Sequence, residues 1–413
     1  MTNVVEIDTS ARRRSQSKTA LVLGGGGFTG GVYQIGALRA LDLLSVNRTV
    51  NQFDVYVGTS AGALIAAMAA NGVTPEQMMR VVNDQAPPFP NIQIGSLLRP
   101  NYGELAASAA RLPLHLLGVA RTLAGAVRSL SLVDVALALG DVLPSGLYSN
   151  AGVEQYLREV FADGGRTDDF RQLAAELYVA ATDLDTCERI VLGAEGWDDV
   201  PISTAVRAST ALPMVYTPAR IRERELVDGG IVSTTNLDIA VEAGAKLIVV
   251  VNPLVPYVND FSAQVSTPLG SRARRVSDMG FPKIGYQTFK LLAYQRLHEM
   301  AGHWEARYPG VDIVLIEPDV DDELMFQTNM LNYASRVDVA RHGFQSVTVR
   351  LANDYESLRE TCRRHGIHIS ATRVRTVMEH FDAFEPAKTG AWRRILEQTT
   401  SALLRQSADE QRA

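Results

Sequence analysis

The chain has 413 residues, of which 46% are hydrophobic and 21% charged, with a formal net charge of -6 and a pI near 5.7. That mixture is ordinary for a globular protein of two or three structural units and excludes disorder as the main state. The acidic balance argues against a nucleic-acid partner, whose phosphates need a basic field. Two cysteines, Cys187 and Cys362, exclude a disulfide framework and make a reducing, cytoplasmic compartment the default.

Residues 1–17 carry Arg12-Arg13-Arg14 without an apolar stretch directly behind, which predicts a disordered leader, not a signal peptide. Strand-like runs follow at Thr19–Leu23, Phe53–Val57, Leu177–Ala181, Arg189–Leu192, Lys246–Val251 and Val311–Ile316. Most are continuously apolar, as strands buried on both faces are. Helical stretches lie between them, at Val32–Leu44 and at Ala61–Ala70, the second stopped by Asn71-Gly72. Alternating strands and helices predict a three-layer α/β/α sandwich with a mainly parallel central sheet.

A breaker cluster at 85–90 opens an Ala/Leu-rich insertion over about 87–144, read as a helical cap. Its leucines are interrupted by Arg111, Arg121 and Arg128. Two readings fit: a helical layer packed on the sheet, or an apolar face with basic anchors that touches the inner membrane surface transiently. No run approaches the roughly 18 apolar residues of a spanning helix. Pro253–Pro282 reads as an irregular link, and 346–413 as a helical C-terminal extension ending in a polar tail. That leaves 18–345 as the main domain.

Chemistry concentrates at three places. Gly58-Thr59-Ser60-Ala61-Gly62, with a strand before it and a helix after it, matches the sharp turn that lifts a nucleophilic serine clear of the backbone. Gly24-Gly25-Gly26-Gly27-Phe28-Thr29-Gly30-Gly31 follows the first strand, and consecutive glycines let N–H groups converge on an oxyanion or a phosphate. The dinucleotide fingerprint is its rival, but it needs an acidic residue ending the second strand; that strand ends in Val57-Gly58, which favours the oxyanion. Asp228 precedes Gly229-Gly230 on a turn after Leu226-Val227.

A serine nucleophile needs a base. None of the seven histidines stands at a strand end, so a Ser–Asp dyad fits better than a triad. The pairs His298/His303 and His365/His368, the latter near Cys362, fall short of a metal-ligand set. Neither a metal nor a cofactor is implied.

The ordered set Gly24–Gly30, Gly58–Gly62 and Asp228-Gly229-Gly230 resembles the patatin-like phospholipases, with support from 181–186 and from Ala208-Ser209-Thr210-Ala211-Leu212-Pro213. The resemblance implies a patatin-like fold and cleavage of phospholipid or related lipid esters, as in phospholipase A or lysophospholipase enzymes. It implies Ser60 as nucleophile, Asp228 as base, and Gly25, Gly26 and Gly27 as the oxyanion loop. The Ala61 amide is a further donor because it follows the nucleophile. Gly30, Gly58, Gly62, Gly229 and Gly230 complete the motifs, and the partner implied is a lipid substrate.

The chain departs from the family pattern at Thr29, where relatives carry Arg or Lys, and at Ile231–Asn236 after the aspartate motif. Two alternatives stay open at this level. One is acyl transfer or thioester hydrolysis by the same dyad. The other is a catalytically weak regulatory or lipid-binding protein that keeps the fold. No motif encodes an oligomeric state.

Overall fold

The computed structural model describes residues 17–85, 89–90, 95, 98–125, 143–259, 265–266, 272–273, 275–328 and 333–384. Nearly all of the expected leader, part of the expected cap (Val127, Arg128 and Leu130 among it) and the tail beyond Phe384 lie outside the described residues. The described strands are, in chain order, β1 Thr19–Leu23, β2 Val55–Thr59, β3 Arg99–Pro100, β4 Gly146–Ser149, β5 Glu176–Asp183, β6 Arg189–Leu192, β7 Met214–Tyr216, β8 Ala219–Ile221, β9 Arg224–Asp228, β10 Leu247–Val251, β11 Val265–Ser266, β12 Arg272–Ala273 and β13 Asp312–Ile316.

Eight of them form the central sheet in the order β13-β10-β1-β2-β5-β9-β8, with β6 also on β5. The pairings from β13 to β5 are parallel, whereas β6, β8 and β9 join antiparallel. The sheet is therefore mixed, with a parallel block running from the β13 edge to β5 and the antiparallel strands at the other end. Side chains of β1 alternate between two cores, as the two-residue period of a strand requires. Leu21 and Leu23 pack with Tyr56, Val32 and Ile65 on one face; Ala20 and Val22 pack with Ile248, Leu237 and Leu297 on the other. Each such buried aliphatic side chain contributes about 1.5–3 kcal/mol, which is why β1, β2 and β10, buried at every position, anchor the three-layer sandwich.

The helix expected from Val32 begins at Gly27 and runs to Leu44. Glycine disfavours a helix interior, yet here the small residues are needed where the helix crowds its neighbours: a Cβ on Gly30 would lie 3.0 Å from Pro253 Cγ. Ala61–Ala70 forms as expected, with Asn71 at its C-cap. Pro253–Pro282 contains the β11–β12 pair and a 3₁₀ turn at Val276–Met279 before the Phe281–Ala301 helix. The cap region holds a helix at Tyr102–Gly125. The helix Arg336–Asn353 runs through residue 345 and lies directly on Gly27–Leu44, so closely that a Cβ on Gly343 would sit 2.5 Å from the Tyr33 carbonyl oxygen. Helices Tyr355–Arg364 and Ala371–Phe384 follow.

Candidate active site

Sheet register brings Ser60 and Asp228 together. β6 occupies one edge of β5 from Val179 to Thr182, so β2, which pairs with Glu176–Ala180, and β9, which pairs with Ala181–Asp183, share the other edge. β2 runs parallel to β5 and its last residue, Thr59, lies against Ala180. β9 runs antiparallel and its last residue, Asp228, lies against Ala181. The two strands thus meet head to head at adjacent positions, and the next residue of β2 is Ser60.

Ser60 takes φ 55° and ψ -128°, a backbone conformation that costs an L-residue about 1–3 kcal/mol. Several contacts hold it there. Its N–H donates to Ser209 Oγ at 2.8 Å, and Ser209 Oγ donates in turn to the Ala180 carbonyl at 2.6 Å. Its carbonyl accepts from the Ala63 N–H at 2.9 Å. The flanking glycines permit the crowding. A Cβ on Gly62 would lie 2.2 Å from the Leu23 carbonyl oxygen, and one on Gly58 would lie 2.4 Å from Ala63 Cα.

Although Ser60 occupies the N-cap of its helix, its hydroxyl makes no capping bond. It donates instead to Asp228 Oδ2 at 2.6 Å. Asp228 Oδ1 accepts from the Gly230 N–H at 2.8 Å, so both carboxylate oxygens are engaged. Ser60 is 7% exposed and Asp228 4%. Burial pushes the Asp228 carboxyl up to about 6; its bonds from Ser60 and Gly230 pull the other way and only partly offset the lost hydration. A carboxylate near neutrality is poised to exchange a proton at working pH.

The glycine loop flanks this pair. A Cβ built on Gly25 would be 3.3 Å from Ser60 Cβ. The N–H of Gly25 donates to the Thr234 carbonyl at 2.8 Å, which removes it as a free donor. Gly26 and Gly27 stand at the N-cap and first position of the Gly27–Leu44 helix, and Ala61 at the first position of the following one. Amides at such positions lack intrahelical acceptors and carry the positive end of the helix dipole; among the described residues none accepts from these three. Thr29 is buried in the same first turn. Gly30 packs on Pro253, and Gly229 lies against β5, where a Cβ would fall 2.2 Å from the Ala180 carbonyl oxygen.

Several positioning residues carry no motif of their own. Ser209 lies in a stretch the sequence singles out, but only its bond to the Ser60 amide gives it a role. Gln34 Nε2 donates to the Gly24 carbonyl at 2.7 Å and braces the glycine loop. Asn236 Nδ2 donates to Thr59 Oγ1 at 3.0 Å and to the Ser233 carbonyl at 2.6 Å, and its Oδ1 accepts from Arg189 at 3.1 Å. Four of the seven histidines have their rings engaged elsewhere: His298, His303, His342 and His365 bond to Glu317, the Glu299 carbonyl, Asp322 and Asp312. Among the described residues, no group of three or more His, Cys, Asp and Glu could hold a metal ion, and no helix is long and apolar enough to cross a membrane.

The chain is 21% identical over 222 residues to the probable lipid hydrolase 463L of Invertebrate iridescent virus 6, a match spanning 54% of this chain and 63% of that relative. Among solved structures it resembles VipD from Legionella pneumophila, at 14% identity and a TM-score of 0.35 over 80% of this chain and 66% of that one. It also resembles the type III effector protein ExoU, at 13% identity and a TM-score of 0.34 over 95% and 68%. The patatin-like phospholipase family matches residues 21–241, more than half of the chain, and the chain belongs to that family.

Proposed function

We propose that the chain is a serine lipid acyl hydrolase that cleaves carboxylic esters of phospholipids or related lipids through a Ser60–Asp228 dyad. The observation that carries this reading is the 2.6 Å contact from Ser60 Oγ to Asp228 Oδ2 on a strained turn. Ser60 Oγ attacks the ester carbonyl carbon as its proton passes to Asp228. The carbonyl oxygen becomes an oxyanion held by the amides of Gly26, Gly27 and Ala61. Collapse breaks the bond to the alcohol, which leaves with the proton from Asp228, and the acyl group stays on Ser60. Water then attacks the acyl-enzyme, Asp228 takes its proton, and the fatty acid departs as the proton returns to Ser60. With Thr29 where relatives carry a cation, the oxyanion relies on backbone donors alone.

The cap helix supports transient contact with a lipid surface, since Leu112, Leu114 and Leu117 are exposed beside the exposed Arg111. Liposome pelleting of the intact chain against a Pro100–Gly140 deletion tests that contact, and equal pelleting would refute it. The hydrolase reading is tested with a lipid panel and a fluorophosphonate probe. The wild-type chain should release fatty acid and take the label, and Ser60→Ala should do neither. A wild-type chain that resists the label would favour the non-catalytic scaffold.

A further inference from the structure

The parallel strands end together. β2 runs into Ser60, β1 into the glycine loop and β10 into Asn252, so their carboxyl ends form one catalytic edge of the sheet. The Phe281–Ala301 helix stands on that edge. His298 Nε2 bonds to Glu317 Oε1 at 2.8 Å, and Glu317, the residue after β13, accepts from Asn252 Nδ2 at 3.2 Å. Leu297 and Met300 pack into the core with β1 and β10. The earlier turns climb away from the strands: Leu292 and Ile284 lie roughly 9 and 21 Å up the helix axis from His298. On that upper part Gln287 binds both backbone groups of Tyr257, beyond the end of β10, at 3.2 and 2.7 Å.

Ile284, Leu291 and Leu292 are 42%, 45% and 65% exposed on this upper part. At about 100° per residue they share one face with the exposed Thr288 and Gln295, an arc of roughly 100°. From Ile284 to Gln295 that face carries no charge; the first is Glu299, lower down. Val258 and Val320, joined by a backbone bond of 2.8 Å next to Tyr257, add exposed aliphatic surface. Charge selects the occupant. Residues 272–300 hold six Arg and Lys against two Asp and Glu, a net of +4, on a chain whose net charge is -6. Arg275 and Arg296 are exposed. A second copy of the chain would bring the same positive segment against itself, whereas an anionic lipid surface offers apolar depth and opposite charge together.

We propose that the upper face of the Phe281–Ala301 helix docks the catalytic edge on an anionic lipid surface, with Ile284, Leu291 and Leu292 entering its apolar boundary. Apolar helix faces sink about 5–10 Å into that boundary, a depth that leaves Glu299 in water. The proposal rests on the hydrolase reading for what the docked centre does, but not for the docking, and it is independent of the cap.

The test is co-sedimentation of the whole Ser60→Ala chain, which leaves lipid intact, with vesicles of phosphatidylcholine alone or with about one-third phosphatidylglycerol. Partition should be ~10-fold stronger on the mixed vesicles. Leu291→Gln with Leu292→Gln should weaken it about tenfold, and Gln295→Leu, which extends the stripe by a turn, should strengthen it about threefold. The second variant gives a gain that a damaged fold cannot mimic. With Ser60 present, neither change should move kcat/KM on dispersed 4-nitrophenyl butanoate by more than about twofold; a larger loss there counts against the docking role. Partition that ignores both variants, or that is equal on the two vesicle types, overturns the proposal. A dimer in sedimentation velocity that the glutamine pair splits gives the face to a second copy and overturns it too. If no ester is cut but partition follows the variants, the hydrolase reading falls and the docking stands. If esters are cut and partition ignores both variants, the docking falls alone.

Discussion

β2 and β9 reach the same point on β5 from opposite directions, and they prepare their side chains in different ways. β2 is buried at every position and leads directly into Ser60, whose backbone is strained while its hydroxyl is an ordinary one. β9 is buried only over its last three residues and ends in Asp228, whose φ of -50° and ψ of 128° are relaxed while its carboxylate is dehydrated. The nucleophile side stores about 1–3 kcal/mol in backbone conformation. The base side stores a similar amount in electrostatics: a rise from 3.8 to about 6 corresponds to about 3 kcal/mol. Conformational strain is indifferent to pH and desolvation of a carboxylate is not, so the two costs can be separated by experiment.

The largest expected effects are on activity. Ser60→Ala and Asp228→Asn should each lower kcat by ~10³-fold or more, as removal of a nucleophile or its base does elsewhere; initial rates on any cleaved ester check this. An Asp228→Asn enzyme within tenfold of wild type would transfer the base to another group. Next in size is Gly62→Ala. Its new methyl would meet the Leu23 and Gly24 carbonyl oxygens at 2.2 and 2.6 Å, both backbone atoms of the central sheet region. The expected loss exceeds about 4 kcal/mol, read as failure to accumulate folded protein or as a large drop in the urea midpoint.

The pH dependence isolates the base side. Because the folded pKa of Asp228 is raised, the folded state binds more protons than the unfolded state between 3.8 and about 6. Stability therefore falls as pH rises through that window and the penalty is complete above it. Asp228→Asn should be more stable than wild type at pH 8 by up to about 3 kcal/mol, with the gain shrinking below pH 6 and gone near pH 4. Ser60→Gly, by contrast, should gain about 1 kcal/mol near pH 4, and the gain should shrink as pH rises through about 6, because the variant also deletes the hydroxyl donor that stabilises the charged Asp228. Denaturation of both variants across that range checks the contrast, and a gain for Asp228→Asn that ignores pH would break it. The kcat/KM of the wild-type chain should fall tenfold per unit below about pH 6.

The same contrast explains what the sequence revealed. β1 and β6 have the bounds expected of them, and β2 was legible but shifted by two residues because Gly58 and Thr59 continue the strand into the turn. Parallel strands buried on both faces leave an unbroken apolar run. β9 reads Arg-Glu-Leu-Val-Asp and has no such run, so Asp228 was found through its Gly-Gly neighbour and the family resemblance, not through its strand. β7 and β8, three residues each, are too short to show a period. The start of the first helix was missed because glycine's low propensity masks a tertiary demand for closeness to Pro253. Gln34, Ser209 and Asn236 act through single hydrogen bonds to backbone or hydroxyl groups, which leave no spacing pattern.

Ser209 and Asn236 give the smaller tests, one on each side of the meeting point. Ser209→Ala leaves the buried Ser60 N–H without its acceptor and should cost about 1–3 kcal/mol, with a several-fold loss in kcat because the strained turn loosens. Asn236 is subtler, since it sits at φ 48° and ψ 38°, in the left-handed region that glycine tolerates. Asn236→Gly keeps that backbone and deletes the side-chain bridge from Thr59 to Ser233, while Arg189 keeps Asp238 at 2.7 Å. Its expected cost is about 1 kcal/mol. Asn236→Ala loses the same bridge and adds the left-handed penalty, about 1 kcal/mol more. The difference between the two variants measures backbone strain, and the difference between glycine and wild type measures the bridge. If Asn236→Gly matches wild type in both urea midpoint and kcat, the bridge contributes nothing and the meeting of β2 and β9 is held by the sheet register and Ser209 alone.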